Sequence, residues 1–495
     1  MQALDYAVIA AFLLLVVAIG FVAARRVRGS GDYFVAGGRI PWWLGGISHH
    51  VSGHSGVVFV GLAAVAYRHG LSLYLWWAVT IGLACLVGAY WFAPRWVRLR
   101  EALAIESPTE YLVLRYNRPT QQVMAWTGVL LKLLDIGAKW AAIGVLLHGF
   151  TGLPVSVGVW LSGLVSLLYI TIGGMWADLY TDLLQFAVQV IACIVLLVAV
   201  VHHLGGVAGT VETWARLPAA NRDWFHEPYT PLFFLGYCCA ALLSYNGGTW
   251  NLAARYIGAE STVSARRSAL LSGALYLGWP LLLFLPMWLA PLILPDLADP
   301  SQSYVLLTQR FLPAGLVGLV LASMFAATMA MTTSDTNTIS AVLTRDILPT
   351  LAPRLRNLSP RMGLRLARVT TLIFTALTLL IGVEAERFGG ILGLVITWFG
   401  ALIGPASVPM LFGLLPAFRG AGSGAAIGSI AAGLAAFVLT NQVFPAPQDV
   451  RLLAPVACSF AVFGLAAFLG RHRTLPAPVA DLMARLAEPR SLPRP

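Results

Sequence analysis

Apolar runs of about 20 residues, the length that crosses a hydrocarbon core as a helix, recur along this whole chain and decide its class. They fall near 6–24, 40–66, 72–94, 122–149, 154–172, 179–203, 231–256, 268–293, 312–343, 364–383, 388–416, 423–440 and 452–469. The expected fold is therefore an all-α membrane protein with about 13 transmembrane helices. Of the 495 residues only 11% are charged and 58% are hydrophobic. A soluble domain carries about 25% charged residues, so much of this exterior must face lipid.

The net charge of +11 reports topology, not a polyanionic partner, and no nucleic acid is implied. Arginines gather in alternate loops, at Arg25–Arg28, Arg95–Arg100, Arg115–Arg118, Arg255–Arg267, Arg345–Arg368 and Arg471–Arg473, whereas Pro291–Ser303 and Asn441–Val450 are poor in them. This positive-inside pattern predicts a multi-pass cell-membrane protein with its N-terminus outside and its C-terminal tail cytoplasmic. The first span has basic residues after it and not before, the reverse of a cleaved leader, and is kept as a true span. Cys85, Cys193, Cys238, Cys239 and Cys458 lie in apolar runs without metal-ligand spacing, which predicts buried, inert thiols. Short loops predict one membrane domain. A poorly ordered tail is expected from Arg471, with short surface helices at Thr210–Leu217 and at Ser107–Arg115, where Ser107-Pro-Thr-Glu110 forms a capping box.

Two spans carry polar, glycine-rich interruptions at mid-membrane, Gly46-Ile-Ser-His-His-Val-Ser-Gly-His-Ser-Gly56 and Ser244-Tyr-Asn-Gly-Gly-Thr-Trp-Asn251. Backbone groups left unpaired there are tolerated only around a solvated cavity or ion site. Interrupted helices in corresponding positions of two halves point to a transporter's binding site. The breaks open two sets of five spans, 40–203 and 231–416, and an odd number of spans inverts the second set. The expected division is an N-terminal extra span with its loop (1–39), first repeat (40–203), extracellular loop (204–230), second repeat (231–416), two further spans (417–470) and cytoplasmic tail (471–495). The plainer alternative is that the glycines let straight helices pack closely.

Four motifs then resemble the sodium/solute symporter family, whose members share the leucine-transporter-type inverted-repeat fold with broken first and sixth core helices. They are Asp32-Tyr-Phe-Val-Ala-Gly-Gly-Arg39, Ser107-Pro-Thr-Glu-Tyr-Leu with Arg115-Tyr116, Gly173-Gly-Met-Trp-Ala-Asp-Leu-Tyr-Thr-Asp-Leu-Leu-Gln185, and Thr344-Arg-Asp346. The resemblance implies a usual sodium site built from the carbonyls of Val51, His54 and Ala327 and two hydroxyls, but the hydroxyl positions fall at Ala330 and Met331. Neither offers the side-chain oxygen that a hard cation requires; Thr332 and Thr333 restore the set only through a register shift. A second site found in some relatives maps to Asp182, Thr333 and Ser334, which keep their oxygens, although Asp182 as a simple helix cap is the plain alternative. The family's sugar-binding polar residues map to Leu75, Tyr276 and Ile396, which argues against a glucose-like solute held in the same way. Tyr245 maps to the aromatic gate. The expected solute cavity comprises Ser48, His49, His50, Ser52, Ser55, Tyr245, Asn246, Trp250 and Thr397, with Trp398 nearby.

A charge inside a span is costly and a functional candidate by default. Lys132, Asp135 and Lys139 share one helical face at i, i+3 and i+7. They read either as a packing triad or as a site where one ammonium replaces the missing sodium and makes coupling proton-linked. Asp178, Asp182 and Asp335, with His49, His50 and His54, form a further proton- or metal-binding candidate set. Adjacent His49 and His50 point about 100° apart on a helix and cannot readily share an ion, so no metal beyond the coupling ion is expected. The functional expectation is a monomeric secondary active transporter, embedded in membrane lipid. It would couple Na⁺ to a small polar solute, sugar-like or carboxylate, by alternating access and without a cofactor; a proton-coupled or uncoupled carrier is the alternative. An enzyme is not expected, because Gly53 and the break undermine His50 and His54 as a helical metal pair.

Overall fold

The computed structural model describes residues 1–388 and 404–487, and among them every regular element is helical. In chain order these are α1 (Ala3–Ala24), α2 (Trp42–Val51), α3 (Val57–His69), α4 (Tyr74–Trp91), α5 (Ala93–Leu103), α6 (Arg118–Thr151), α7 (Val155–His203) and α8 (Pro231–Leu243). They continue with α9 (Asn251–Ile257), α10 (Thr262–Ile293), α11 (Leu316–Val342), α12 (Pro360–Val383), α13 (Gly404–Phe412), α14 (Ser423–Val438), α15 (Gln448–Leu469) and α16 (Ala477–Ala487).

Eight helices among the described residues are long and apolar enough to cross a bilayer. Length and hydropathy alone do not reach the expected count of about 13, because the interrupted helices are individually short and α6 carries Lys132, Asp135 and Lys139. In the other direction, α7 runs 49 residues, about 74 Å at 1.5 Å per residue, far more than one crossing. The two spans expected at 154–172 and 179–203 are thus joined without a loop, through a kink at Gly174 (φ 51°, ψ −140°). Only glycine adopts that backbone readily, and Tyr33 closes the space a side chain would need.

Both expected interruptions are present. Helix α2 ends at Val51 and α3 begins at Val57, with the Gly56 N–H donating to Thr328 Oγ1 of α11 at 3.0 Å. Helix α8 gives way to a widened turn over Ser244–Gly248, with Gly247 at φ 115° and Trp250 at φ 72°, before α9 starts. Trp250 is held in this unfavourable conformation because its ring packs on α6 where Gly128 leaves room. Helix α1 clamps α11: Asp5 Oδ1 accepts the Gly315 and Gly318 N–H groups at 2.7 and 2.9 Å, placing a carboxylate on a helix N-terminus.

Two expectations about the periphery are corrected. The tail beyond Arg471 is not wholly irregular, since α16 buries Leu482, Met483 and Leu486 and the Leu486 carbonyl accepts from Arg98 at 2.7 Å. The stretch over Ser107–Arg115 is helical only at Leu112–Arg115, and its capping box is half-formed, the Glu110 carboxylate reaching back to the Ser107 N–H at 3.0 Å. The outer surface helix is present as Gly206–Arg216.

Gly174→Val is expected to lower the thermal midpoint in detergent, followed by tryptophan fluorescence. Backbone strain alone costs about 1–3 kcal/mol, and the new Cβ would stand 2.4 Å from the Tyr33 carbonyl oxygen. Gly278→Ala on α10, where a Cβ meets nothing within 4 Å, serves as the control. Equal midpoints for the two variants would refute the assignment of the kink to Gly174.

Candidate functional site

The two interruptions face each other and are clasped by side chains. Tyr245 Oη donates to the Gly53 carbonyl at 2.7 Å, and Asn251 Nδ2 donates to the Ser52 carbonyl at 3.1 Å. Between them lies a cavity of about 80 Å³ bordered by Ser52, Gly53, Ser244, Tyr245, Thr249 and Met331. That volume admits several waters but is too small for a sugar.

Of the expected cavity residues among those described, only Ser52 and Tyr245 line this space. Asn246 turns away and donates to the carbonyls of Ala84 and Leu242. His49 braces α2 against its neighbours through Ser272 Oγ (2.8 Å) and Tyr256 Oη (2.9 Å). His50 and His54 stack toward Tyr276 and Trp279 of α10. Ser48 bonds to Asp182, the Ser55 hydroxyl accepts from the Val57 N–H of its own turn, and Trp250 packs on Gly128. Thr397, Trp398 and Ile396 lie outside the described residues.

At the position the resemblance gives to the usual sodium site, α11 carries Ala330 and Met331. Ala330 is buried and Met331 brings sulfur to the cavity. Thr332 Oγ1 donates to the Thr328 carbonyl of its own helix at 2.8 Å. Side-chain hydrogen bonds to the α2–α3 break go to the carbonyls of His50, Ser52 and Gly53. Among the described residues no side-chain bond goes to the carbonyl of Val51 or of His54.

The densest polar cluster centres on Arg255, which the sequence reading placed in a cytoplasmic arginine loop. It is instead fully buried in α9. Its Nη2 lies 2.5 Å from Asp178 Oδ2, 3.4 Å from Asp182 Oδ2 and 2.9 Å from Ser52 Oγ, and its Nε donates to Ser48 Oγ at 3.0 Å. Ser48 Oγ in turn donates to Asp182 Oδ2 at 2.5 Å. Thr333, expected beside Asp182, donates to Asp178 Oδ1 at 2.6 Å. Asp182 Oδ1 and Ser334 Oγ are buried without a hydrogen-bond partner. One guanidinium against two carboxylates leaves this cluster one negative charge in excess. The available signal was position: Arg255 stands one turn beyond Asn251 in the interrupted span and before the capping Ser261, not with Arg266 and Arg267.

Asp335 belongs to neither the histidines nor that cluster, contrary to the expected grouping. Lys132 Nζ lies 3.1 Å from Asp135 Oδ2 and 2.7 Å from Asp335 Oδ1, and Lys139 Nζ lies 2.6 Å from an oxygen of each aspartate. The result is a buried, electrically neutral square binding α6 to α11. Both ammoniums lie between the same two carboxylates, which argues against either one standing in for a sodium ion. No group of three or more His, Cys, Asp or Glu side chains with metal-binding geometry occurs among the described residues.

Two sequence motifs meet at the far end of α11. Asp346 accepts from Ser107 Oγ and Thr109 Oγ1, both at 2.6 Å, and from Gln121 Nε2 at 2.5 Å, while Arg345 pairs with Glu110 at 3.0 Å. Their spacing in sequence thus encodes one clasp between the α5–α6 loop and α11.

Comparison with known proteins follows from this architecture. The family model described as the sodium:solute symporter family matches residues 33–432. The sodium/sialic acid symporter NanT of Aliivibrio fischeri is 25% identical over 78% of this chain and 76% of its own length. The human sodium/iodide cotransporter is 27% identical over 91% of this chain and 72% of its own. A substrate-bound, outward-open structure of a Na⁺-coupled sialic acid symporter superposes with TM-score 0.82 at 20% identity, covering 94% of this chain and 98% of that one. Mhp1, a nucleobase-cation-symport-1 family transporter, superposes with TM-score 0.56 at 11% identity, covering 92% and 98%. These superpositions fix the fold as that of the helical symporters.

Breaking one corner of the Lys–Asp square is expected to destabilise strongly. Asp335→Ala leaves two buried ammoniums facing one carboxylate, a loss of about 3–5 kcal/mol, read as a depressed melting temperature in detergent. The double variant Lys132→Met/Asp335→Leu restores neutrality and is expected to recover much of that loss. A double variant no more stable than the single would show that charge balance is not what the square supplies.

Proposed function

The chain belongs to the sodium:solute symporter family, and on that premise we propose that it couples Na⁺ to a small polar solute by alternating access, the ion lying at Asp182. The observation that carries this is the buried, unpartnered Asp182 Oδ1, in a cluster that counts one guanidinium against two carboxylates; Ser334 Oγ on α11 is likewise buried and unpartnered. An uncompensated carboxylate is unstable in a low-dielectric interior unless a cation or proton joins it. Sodium fits the oxygen donors gathered there, with Thr333, Ser48 and Ser52 adjacent. The incomplete usual site, with Ala330 and Met331, favours a second reading in which a proton occupies the same carboxylate.

The solute would lie between the two breaks, behind Tyr245. The names of its relatives include sialic acid, iodide, glucose and monocarboxylate, and this range supports a small polar solute. Leu75 and Tyr276 stand against glucose, for the Tyr276 hydroxyl is already committed to the His50 carbonyl at 2.8 Å. The two repeats would run over 40–203 and 231–416, related through the α2–α3 and α8–α9 interruptions. The chain would act as a monomer, with its N-terminus outside the cell and its C-terminus in the cytoplasm.

Uptake by proteoliposomes tests this reading with a panel of sialic acid, lactate, iodide and glucose, with Na⁺ replaced by K⁺ at two pH values. Na⁺ is expected to stimulate transport of at least one solute. Asp182→Asn is expected to raise the Na⁺ concentration for half-maximal uptake by more than about tenfold, the equivalent of about 1.4 kcal/mol. Uptake indifferent to Na⁺ and driven by a proton gradient would sink the sodium reading.

A further inference from the structure

The histidines of the first interruption do not face the solute cavity, and their surroundings are unusual. Asp178, Asp182, Gln185 and Gln189 recur on α7 at i, i+4, i+7 and i+11, one narrow face of a helix, and all four are fully buried. That face looks at the α2–α3 break. His54 Nδ1 bonds to the His50 carbonyl at 3.1 Å and His54 Nε2 lies 3.1 Å from Gln189 Oε1. A neutral His54 that donates through Nδ1 must accept at Nε2, so the Gln189 amide donates to it and its oxygen is left unpaired. In the opposite amide orientation it is the nitrogen that is unpaired. Both ring nitrogens of His50 and both amide atoms of Gln185 also lack partners, Gln185 lying beside the Tyr169 hydroxyl without a well-formed bond. Asp182 Oδ1 completes the series.

Each unpaired buried polar group costs about 1–3 kcal/mol, so such a row is not sustained in a dry core. Its chemistry is specific: neutral donors and acceptors along about 10 Å of helix, leading to a single carboxylate. None of His50, His54, Gln185 or Gln189 borders the cavity between the breaks. Neutral hydrogen-bonding walls can replace the hydration of a small monovalent cation without trapping it, and the carboxylate supplies the stopping point. We propose that His50, His54, Gln185 and Gln189 form a hydrated file through which the coupling Na⁺ reaches Asp182, separate from the route of the solute. The inference rests on Asp182 as the cation site. It adds a function for the two histidines and two glutamines and predicts that ion and solute access can be altered independently.

Proteoliposome uptake by the full chain provides the test. Gln189→Leu is expected to raise the Na⁺ concentration for half-maximal uptake about tenfold, while the solute KM at saturating Na⁺ stays within about twofold of the parent. Unchanged Na⁺ dependence, or a solute KM that moves instead, would overturn the file. Gln189→Cys guards against a variant that fails to fold. Its thiol is expected to react with a small water-soluble methanethiosulfonate, seen as a mass increase over the parent chain, and Na⁺ but not K⁺ is expected to slow the reaction. An unreactive thiol in a folded protein means a dry packing seam and overturns the proposal. Asp182→Asn separates the two levels: if it keeps full Na⁺ dependence, the ion-site reading fails and the file with it. If it abolishes that dependence while both Gln189 variants behave like the parent, only the file fails.

Discussion

A single buried guanidinium holds the centre of this protein together. Arg255 sits on α9, beyond the second interruption, and reaches Ser48 and Ser52 at the end of α2 and Asp178 and Asp182 on α7. The ends of two half-helices and a continuous span are thereby fixed by one planar group. Arginine suits this role because its fork of N–H donors can serve hydroxyls and carboxylates at once and stays charged when buried. A lysine would offer a point charge and could satisfy fewer of these partners.

Two buried charge clusters stand within reach of α11, and their arithmetic differs. The Lys132–Asp135–Lys139–Asp335 square is neutral and closed, each ammonium lying between two carboxylates. Such an arrangement is costly to open and offers no vacancy of charge, which suits a fixed scaffold between α6 and α11. The Arg255 cluster is one charge short. Thr333 donates to Asp178 within it, and two residues further along the same helix Asp335 belongs to the square. Positions two residues apart on one helix thus join two clusters of different charge balance.

The sequence disclosed what depends on local composition. Gly46–Gly56 and Ser244–Asn251 read as interruptions because glycine and short polar residues cannot fill a regular lipid-facing span, and the structure breaks both there. The i, i+3, i+7 spacing of Lys132, Asp135 and Lys139 likewise predicted a shared face. Asp335 as their fourth member was not legible, since only the packing of α11 on α6 brings it there. Arg255 was concealed by its proximity in sequence to Arg266 and Arg267, although Ser261 caps a new helix between them. His49 and His50 were correctly seen to diverge, yet their neighbours come from α9 and α10 and could not be read from α2. The ordered α16 depends on apolar residues docking against α5, a tertiary effect that a Pro- and Arg-rich composition obscures.

The same geometry links the proposed ion site to the solute cavity. Ser52 is shared: its hydroxyl donates to Asp182 at 3.1 Å and its carbonyl accepts from Asn251, one of the two bonds that close the breaks. Gly53, the next residue, carries the Tyr245 bond. A cation joining Asp182 would draw on oxygens that Arg255 now holds, and Arg255 and Asn251 lie one turn apart on α9, where Arg255 also donates to the Asn251 carbonyl at 3.2 Å. Relaxing the guanidinium's grip would therefore free the segment that closes the cavity. Coupling free energies between sites are typically about 1–3 kcal/mol, a scale that exchanging one or two such buried hydrogen bonds can supply. By linkage the effect would be reciprocal: a solute that parts Tyr245 and Asn251 from the first break would change the affinity of Asp182 for the proposed ion.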